Sequence, residues 1–166
     1  MIFVTVGTHE QQFNRLVAKM DELKHNGTIC EEVIIQTGFS TYEPKYCRWE
    51  KLFPYSEMLE NVRNARIIIT HGGPSSFMMS LQEGKVPIVV PRQKKYDEHV
   101  NNHQVVFCRT VFERYHNIIV VEDIDYLAKR ISEYDVITQK LKTGKLKEHN
   151  TNFTSKFESI IDELFC

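Results

Sequence analysis

Cysteine is sparse and scattered: Cys30, Cys47, Cys108 and Cys166 include no C-x-x-C pair. That argues against a zinc knot or a disulfide-stapled domain and for reduced thiols. No apolar run approaches the roughly 20 residues of a membrane span. The opening MIFVTVG turns polar too soon for a signal peptide, so a cytoplasmic protein is expected. Net charge is almost absent, with 21 Lys and Arg against 22 Asp and Glu. Bulk electrostatics therefore offers nothing to nucleic acid, and no nucleic-acid partner is expected. Repeats and low-complexity tracts are missing too, and 166 residues suit one domain spanning 1–166.

What is present is organised around IIITHGGPSSFMMSLQEGKVPIVVPRQKKYDEHVNNH, residues 67–103. A short β-branched run stops at His71-Gly72-Gly73-Pro74, a helix follows with Ser75 and Ser76 as candidate caps, and Gly84 ends it. Val86 to Val90 is a second buried strand closed by Pro91. Two glycines at a helix start let backbone approach a ligand and turn N–H groups toward an anion. Upstream, Ile2 to Val6 is a strand and Gly7-Thr8-His9 exits into a helix carrying Phe13, Leu16, Val17, Met20 and Leu23. Val33 to Gln36 is the next strand, with its own glycine loop at Gly38. Residues 46–53 suggest a short strand, and after Pro54 a helix capped by Ser56 carries Met58, Leu59 and Val62.

Downstream, residues 100–115 have helical spacing, Ile118 to Val121 is a last strand, and Asp123 caps a helix bearing Ile124, Leu127, Ala128 and Ile131. A lysine-rich link leads to a closing amphipathic helix over about 150–165, which must pack on the domain or on a partner. Strands alternating with helices predict an α/β fold with a doubly wound, mostly parallel sheet. Ligands of such sheets sit beyond the carboxyl ends of the strands, where the Gly7, Gly38 and Gly72 loops fall.

Several features admit two readings. His71 is either an ordinary loop histidine or a donor to a diphosphate. Asp123-Ile124-Asp125 resembles a metal-binding D-x-D but is better read as a helix cap with a first-turn acid. His99 and His103, one helical turn apart, could ligate zinc beside Asp97 or Glu98; polar contacts to a ligand fit better, since no third separated ligand declares itself. Arg92, Lys94 and Lys95 are either a solvated loop or a cluster near phosphates or an anionic membrane surface.

Taken together, FVTVGTHEQQFNRLV, VIIQTGFS and THGGPSSFMMSLQEGKVPIVVPRQKKYDEHVNNHQ resemble the MurG-like glycosyltransferases. The likeness is greatest to their short relatives: the soluble subunit of the two-part UDP-GlcNAc transferase of dolichol-linked oligosaccharide synthesis, and bacterial capsule and exopolysaccharide proteins. The resemblance implies the Rossmann-like, nucleotide-sugar half of a GT-B enzyme as a separate chain. It implies that Gly7, Thr8, His71, Gly72, Gly73 and Ser75 hold the diphosphate, and that the segment at Phe53 and Pro54 frames the uracil. It also implies that Glu98, His99, His103 and Gln104 lie on the sugar side. A membrane-anchored partner would supply the acceptor site for a lipid-linked saccharide and recruit this chain to the cytosolic face.

No metal or other cofactor is expected, since such enzymes stabilise the departing diphosphate with loops and helix dipoles. The catalytic base is open, with His9 and Glu10 as candidates. One departure stands out: where the family commonly places a ribose-binding glutamate, five positions before Gly84, this chain has Met79, which cannot accept those hydrogen bonds. The alternative is a non-catalytic nucleotide-binding module that stabilises a transferase partner.

Overall fold

The computed structural model describes residues 1–142. The helix expected over 150–165 and most of the lysine-rich link before it lie outside the described residues. Six strands form one sheet: β1 (Ile2–Thr5), β2 (Val33–Gln36), β3 (Arg48–Glu50), β4 (Ile67–His71), β5 (Ile88–Val90) and β6 (Ile119–Val120). Their order is β3-β2-β1-β4-β5-β6, and every pairing is parallel. The expected doubly wound α/β sheet is thus present, parallel throughout rather than mostly so.

Strand alternation splits the core between two faces. Ile2, Val4, Ile67, Ile69, Ile88 and Val90 point to one face and pack in one apolar cluster with two helices. These are α1 (Asn14–His25), through Leu16, Val17, Met20 and Leu23, and α5 (Leu127–Ser132), through Leu127 and Ile131. Phe3 and Ile68 point the other way, onto Val62 of α2 (Tyr55–Asn64). Val89 joins Phe77 and Leu81 of α3 (Pro74–Gln82) and Phe107 and Val111 of α4 (His103–Tyr115). The last described helix, α6 (Tyr134–Lys142), is fastened by the Tyr134 hydroxyl, which donates to the Val86 carbonyl at 2.7 Å.

Several local expectations are corrected. Phe13 is the N-cap of α1, not within it, so a loop separates β1 from its helix. Gly73 is the N-cap of α3 with Pro74 in the first turn; Ser75 and Ser76 lie inside that turn and cap nothing. Pro54, not Ser56, holds the N-cap position of α2. The Asp123 carboxylate does accept from the Asp125 N–H, at 3.1 Å, but what it opens is a 3-10 turn ahead of α5. His99 precedes α4, which begins at His103, so the two histidines are not a helical i, i+4 pair.

With all strands parallel, the loops after β1, β2, β4 and β5 emerge on one edge. From β1 the chain proceeds to β2 on one side; β4, on the other side of β1, leads on to β5. The crevice between the β1 and β4 exits is therefore the topological switch point, where open α/β sheets bind their ligands.

Candidate functional site

Two glycines at the switch point are required by one imidazole. A Cβ on Gly7 or on Gly73 would overlap the ring of His71, so the ring lies between the two loops. Gly7 also has φ +75°, and Gly38 (φ +55°) packs so closely that a Cβ there would lie 2.6 Å from the Gly7 carbonyl oxygen. A Cβ on Gly72 would lie 2.9 Å from Cys108 Sγ and 2.9 Å from Gln104 Cβ. The glycine loops predicted to converge therefore interlock, through His71. The donors at the start of α3 are the N–H groups of Gly73 and Ser75, because Pro74 has none and first-turn amides lack intrahelical acceptors. The Gly72 N–H is already bonded to Gln104 Oε1 at 3.0 Å.

Burial, then the charge of Arg92, hold the His71 pKa down to about 3. The ring is neutral across the physiological range, so it would meet an anion as a dipole, not as a cation. The Thr5 carbonyl favours the protonated ring, yet no hydrogen bond of normal geometry reaches Nδ1 among the described residues.

The cation of the site is one the sequence left open. Arg92 is fully buried rather than solvated. Its Nη2 donates to the Val6 carbonyl at 2.8 Å, and its Nη1 to the carbonyls of Gln11 (2.9 Å), Gln12 (3.0 Å) and Glu98 (3.1 Å). The guanidinium lies 4.8 Å from the centre of the Phe13 ring. Burial lowers its pKa to about 10, against the opposing effect of Glu98, so it stays charged at neutral pH. Its own N–H joins that of Gly72 on Gln104 Oε1 at 3.0 Å, so one side chain of α4 ties the exits of β4 and β5 together.

Glu98 is reassigned from the sugar side. It is fully buried, and its carboxylate receives Arg15 Nε at 2.8 Å, Arg15 Nη2 at 2.9 Å and the Gln93 N–H at 3.0 Å. Both oxygens are engaged within the protein, so the residue braces the β5–α4 loop against α1. Met79 is half-buried against the cluster of Phe3, Ile34, Val62, Ala65 and Ile68, which also receives Phe53. The Phe53 N–H donates to Gln36 Oε1 at 3.0 Å, and Gln36 Nε2 to Thr5 Oγ1 at 3.1 Å, so this segment is tied to the end of β1. Pro54 is exposed beside it.

Thr8, Glu10 and Ser75 are exposed around the crevice. His9 and His99 lie with ring centres 4.8 Å apart, and His99 and His103 5.4 Å apart, so the chain brings three predicted residues into one row. Burial, then His9 and His103, lower the His99 pKa. Among the described residues no group of three or more His, Cys, Asp or Glu is placed to hold a metal, so the reading of a zinc site at His99 and His103 gains no third ligand. The residues that sequence reasoning missed are Arg15 and Gln36, and it left Arg92 unresolved. The available signal for Arg92 was a cation directly after a buried strand and its closing proline.

The profile of the glycosyltransferase family 28 C-terminal domain matches residues 1–164. The mouse protein "UDP-N-acetylglucosamine transferase subunit ALG13" is 30% identical over 128 residues, 69% of this chain and 10% of that protein. Its human counterpart is 29% identical over 129 residues, again 69% and 10%. The chain thus spans about a tenth of the length of these curated relatives. The kitacinnamycin glycotransferase superposes with a TM-score of 0.61 at 15% identity, covering 98% of this chain and 42% of that one. SnogD from Streptomyces nogalater gives 0.60 at 18% identity, with 89% and 38% covered. These two likenesses speak for the fold, and the profile match over nearly the whole length speaks for kinship: the chain belongs to the glycosyltransferase family 28 C-terminal domain family.

Proposed function

We propose that the chain is the donor-binding subunit of a two-component glycosyltransferase. It takes a UDP-sugar at the switch point and transfers the hexose, GlcNAc, Gal or Glc, to a lipid-linked acceptor held by a membrane-anchored partner. The observation that carries this reading is the interlock of Gly7, His71 and Gly73 in front of the open N-terminus of α3. Neutral N–H donors and a helix dipole there suit a diphosphate. The family supports a sugar transfer, and the relatives named as subunits of a UDP-N-acetylglucosamine transferase support both the uridine donor and a partner. Attachment to the cytosolic face is part of the same proposal and falls to the partner; no helix among the described residues is long and apolar enough to cross a membrane.

In the transfer, the acceptor hydroxyl oxygen bonds to the anomeric carbon as the bond from that carbon to the diphosphate oxygen breaks. A base takes the hydroxyl proton, and UDP leaves with the electron pair. His9, or Glu10 beside it, is the candidate base on this chain. Gln104, with its oxygen committed to Gly72 and Arg92, still has an NH2 group to offer the sugar, and His103 adjoins it. The start of α3 stabilises the leaving group, and no metal ion is required.

Thermal unfolding with UDP, UDP-Glc, UDP-Gal, UDP-GlcNAc, GDP and ADP, each with EDTA, tests the donor site. A ligand at a hundred times its Kd adds about 2.7 kcal/mol, which at this size raises Tm by several degrees. Stabilisation by uridine nucleotides alone is expected; equal shifts from GDP and ADP would overturn the uridine assignment. Full transfer to a lipid-linked acceptor by the isolated chain would overturn the two-component part. Met79 motivates the second reading, a non-catalytic module. Met79→Glu separates the two: a large gain in donor affinity favours the module, and no gain means the ribose is held otherwise.

A further inference from the structure

A charge buried without a matching partner is costly, and proteins that keep one commonly use it. Beneath the first glycine loop lie three ionised groups: Arg15, Glu98 and Arg92. Glu98 is engaged by the fork of Arg15 and by the Gln93 N–H. Arg92 instead donates to four backbone carbonyls, and no carboxylate among the described residues accepts from it. The cluster carries one net positive charge, fully buried at Arg92. The Arg92 charge disfavours protonation of His71, whose ring lies between the glycine loops, and of His99. Peptide geometry adds direction: with the Gln11 carbonyl turned inward to the guanidinium, the N–H of the same peptide plane, on Gln12, turns outward.

We propose that Arg92 is the counter-charge of the donor's diphosphate, a positioning residue that shapes the first glycine loop from within and makes the crevice selective for the phosphorylated ligand. This rests on the donor-site reading above. The dianion would sit across the loop from a cation shielded from water, where attraction is stronger than at a solvated lysine. The neighbouring Lys94 and Lys95 are exposed and contribute far less.

The test is calorimetric binding of UDP and of uridine to the full chain and to Arg92→Gln, Arg92→Lys and Glu98→Gln. Their ratio of affinities reports on the phosphates, whereas a loop that merely loses its shape weakens both ligands together. Arg92→Gln is expected to lower the preference for UDP over uridine at least about tenfold. Arg92→Lys should largely preserve the preference even where it lowers Tm, and Glu98→Gln, which removes the only acid of the cluster, should raise it. A wild-type chain that prefers UDP no more than uridine overturns the donor-site reading and this inference with it. A wild-type preference that Arg92→Gln leaves intact, or that Arg92→Lys loses as fully as Arg92→Gln does, overturns the inference alone. If Arg92→Gln does not fold, Glu98→Gln decides: a lowered preference overturns the proposal and a raised one supports it.

Discussion

At His71 the fold keeps an imidazole neutral by enclosing it between two glycine loops, and the acid side of the stability curve should record this. The folded pKa of about 3 lies below the ordinary 6.5, so the unfolded chain binds the proton first. The contribution is complete above about pH 6.5 and is lost as pH falls toward 3, at up to about 1.4 kcal/mol per pH unit. His71→Asn should flatten that part of the profile in denaturant titrations between pH 7 and 4.5; parallel curves would contradict it. Gly73→Ala probes the same contact from the other side. Gly73 has φ −77°, which alanine adopts freely, so its cost comes from overlap with the ring and should be about 1–3 kcal/mol. The same change in a His71→Ala background should cost much less. The two glycines and the histidine were legible in the sequence; that they touch was not, because nothing in H-G-G says which loop its ring enters. The fate of Arg92 was hidden for a similar reason. A cation after a strand reads as solvated until the carbonyls that enclose it, those of Val6, Gln11 and Gln12, are placed by a different segment.

At the level of elements, strands and helices were readable because β-branched runs and helical spacing are local signals, and those signals survive burial on both faces of a parallel sheet. Caps were less readable: Gly73 and Pro54 hold positions that the nearby serines could equally have taken. The anchor between α1 and the segment before β3 left no local signal. Asp21 is buried in α1, and its carboxylate accepts from the N–H groups of Lys45, Tyr46 and Cys47 and from the Tyr42 hydroxyl at 3.0 Å. Burial pushes its pKa up, but these donors outweigh it and hold the value below the ordinary 3.8. Asp21→Asn should cost about 2–4 kcal/mol by leaving buried N–H groups poorly matched. Amide hydrogen exchange should then show faster opening of residues 42–47, while β1 and β4 keep their protection; uniform acceleration would mean that the anchor serves the whole sheet.

For the whole molecule, the alternation of elements predicted the layered α/β architecture, and the glycine loops predicted which edge carries the candidate site. Strand order was beyond it, since order depends on which long-range pairings form. The pairing that matters most joins Ile2 with Ile67 and Thr5 with Thr70, bringing together segments distant in the chain. That has a kinetic consequence. Helices and short-range contacts can form early, whereas a parallel pairing of such separation pays its loop-closure entropy first and forms slowly. Until β4 docks beside β1, His71 has no Gly7 to rest against and no crevice exists. On refolding, recovery of the proposed UDP binding should therefore lag the far-ultraviolet helical signal; simultaneous recovery would contradict this. During synthesis the same order makes any ligand of the crevice a reporter of completed topology, able to hold the sheet closed once formed but unable to help assemble it.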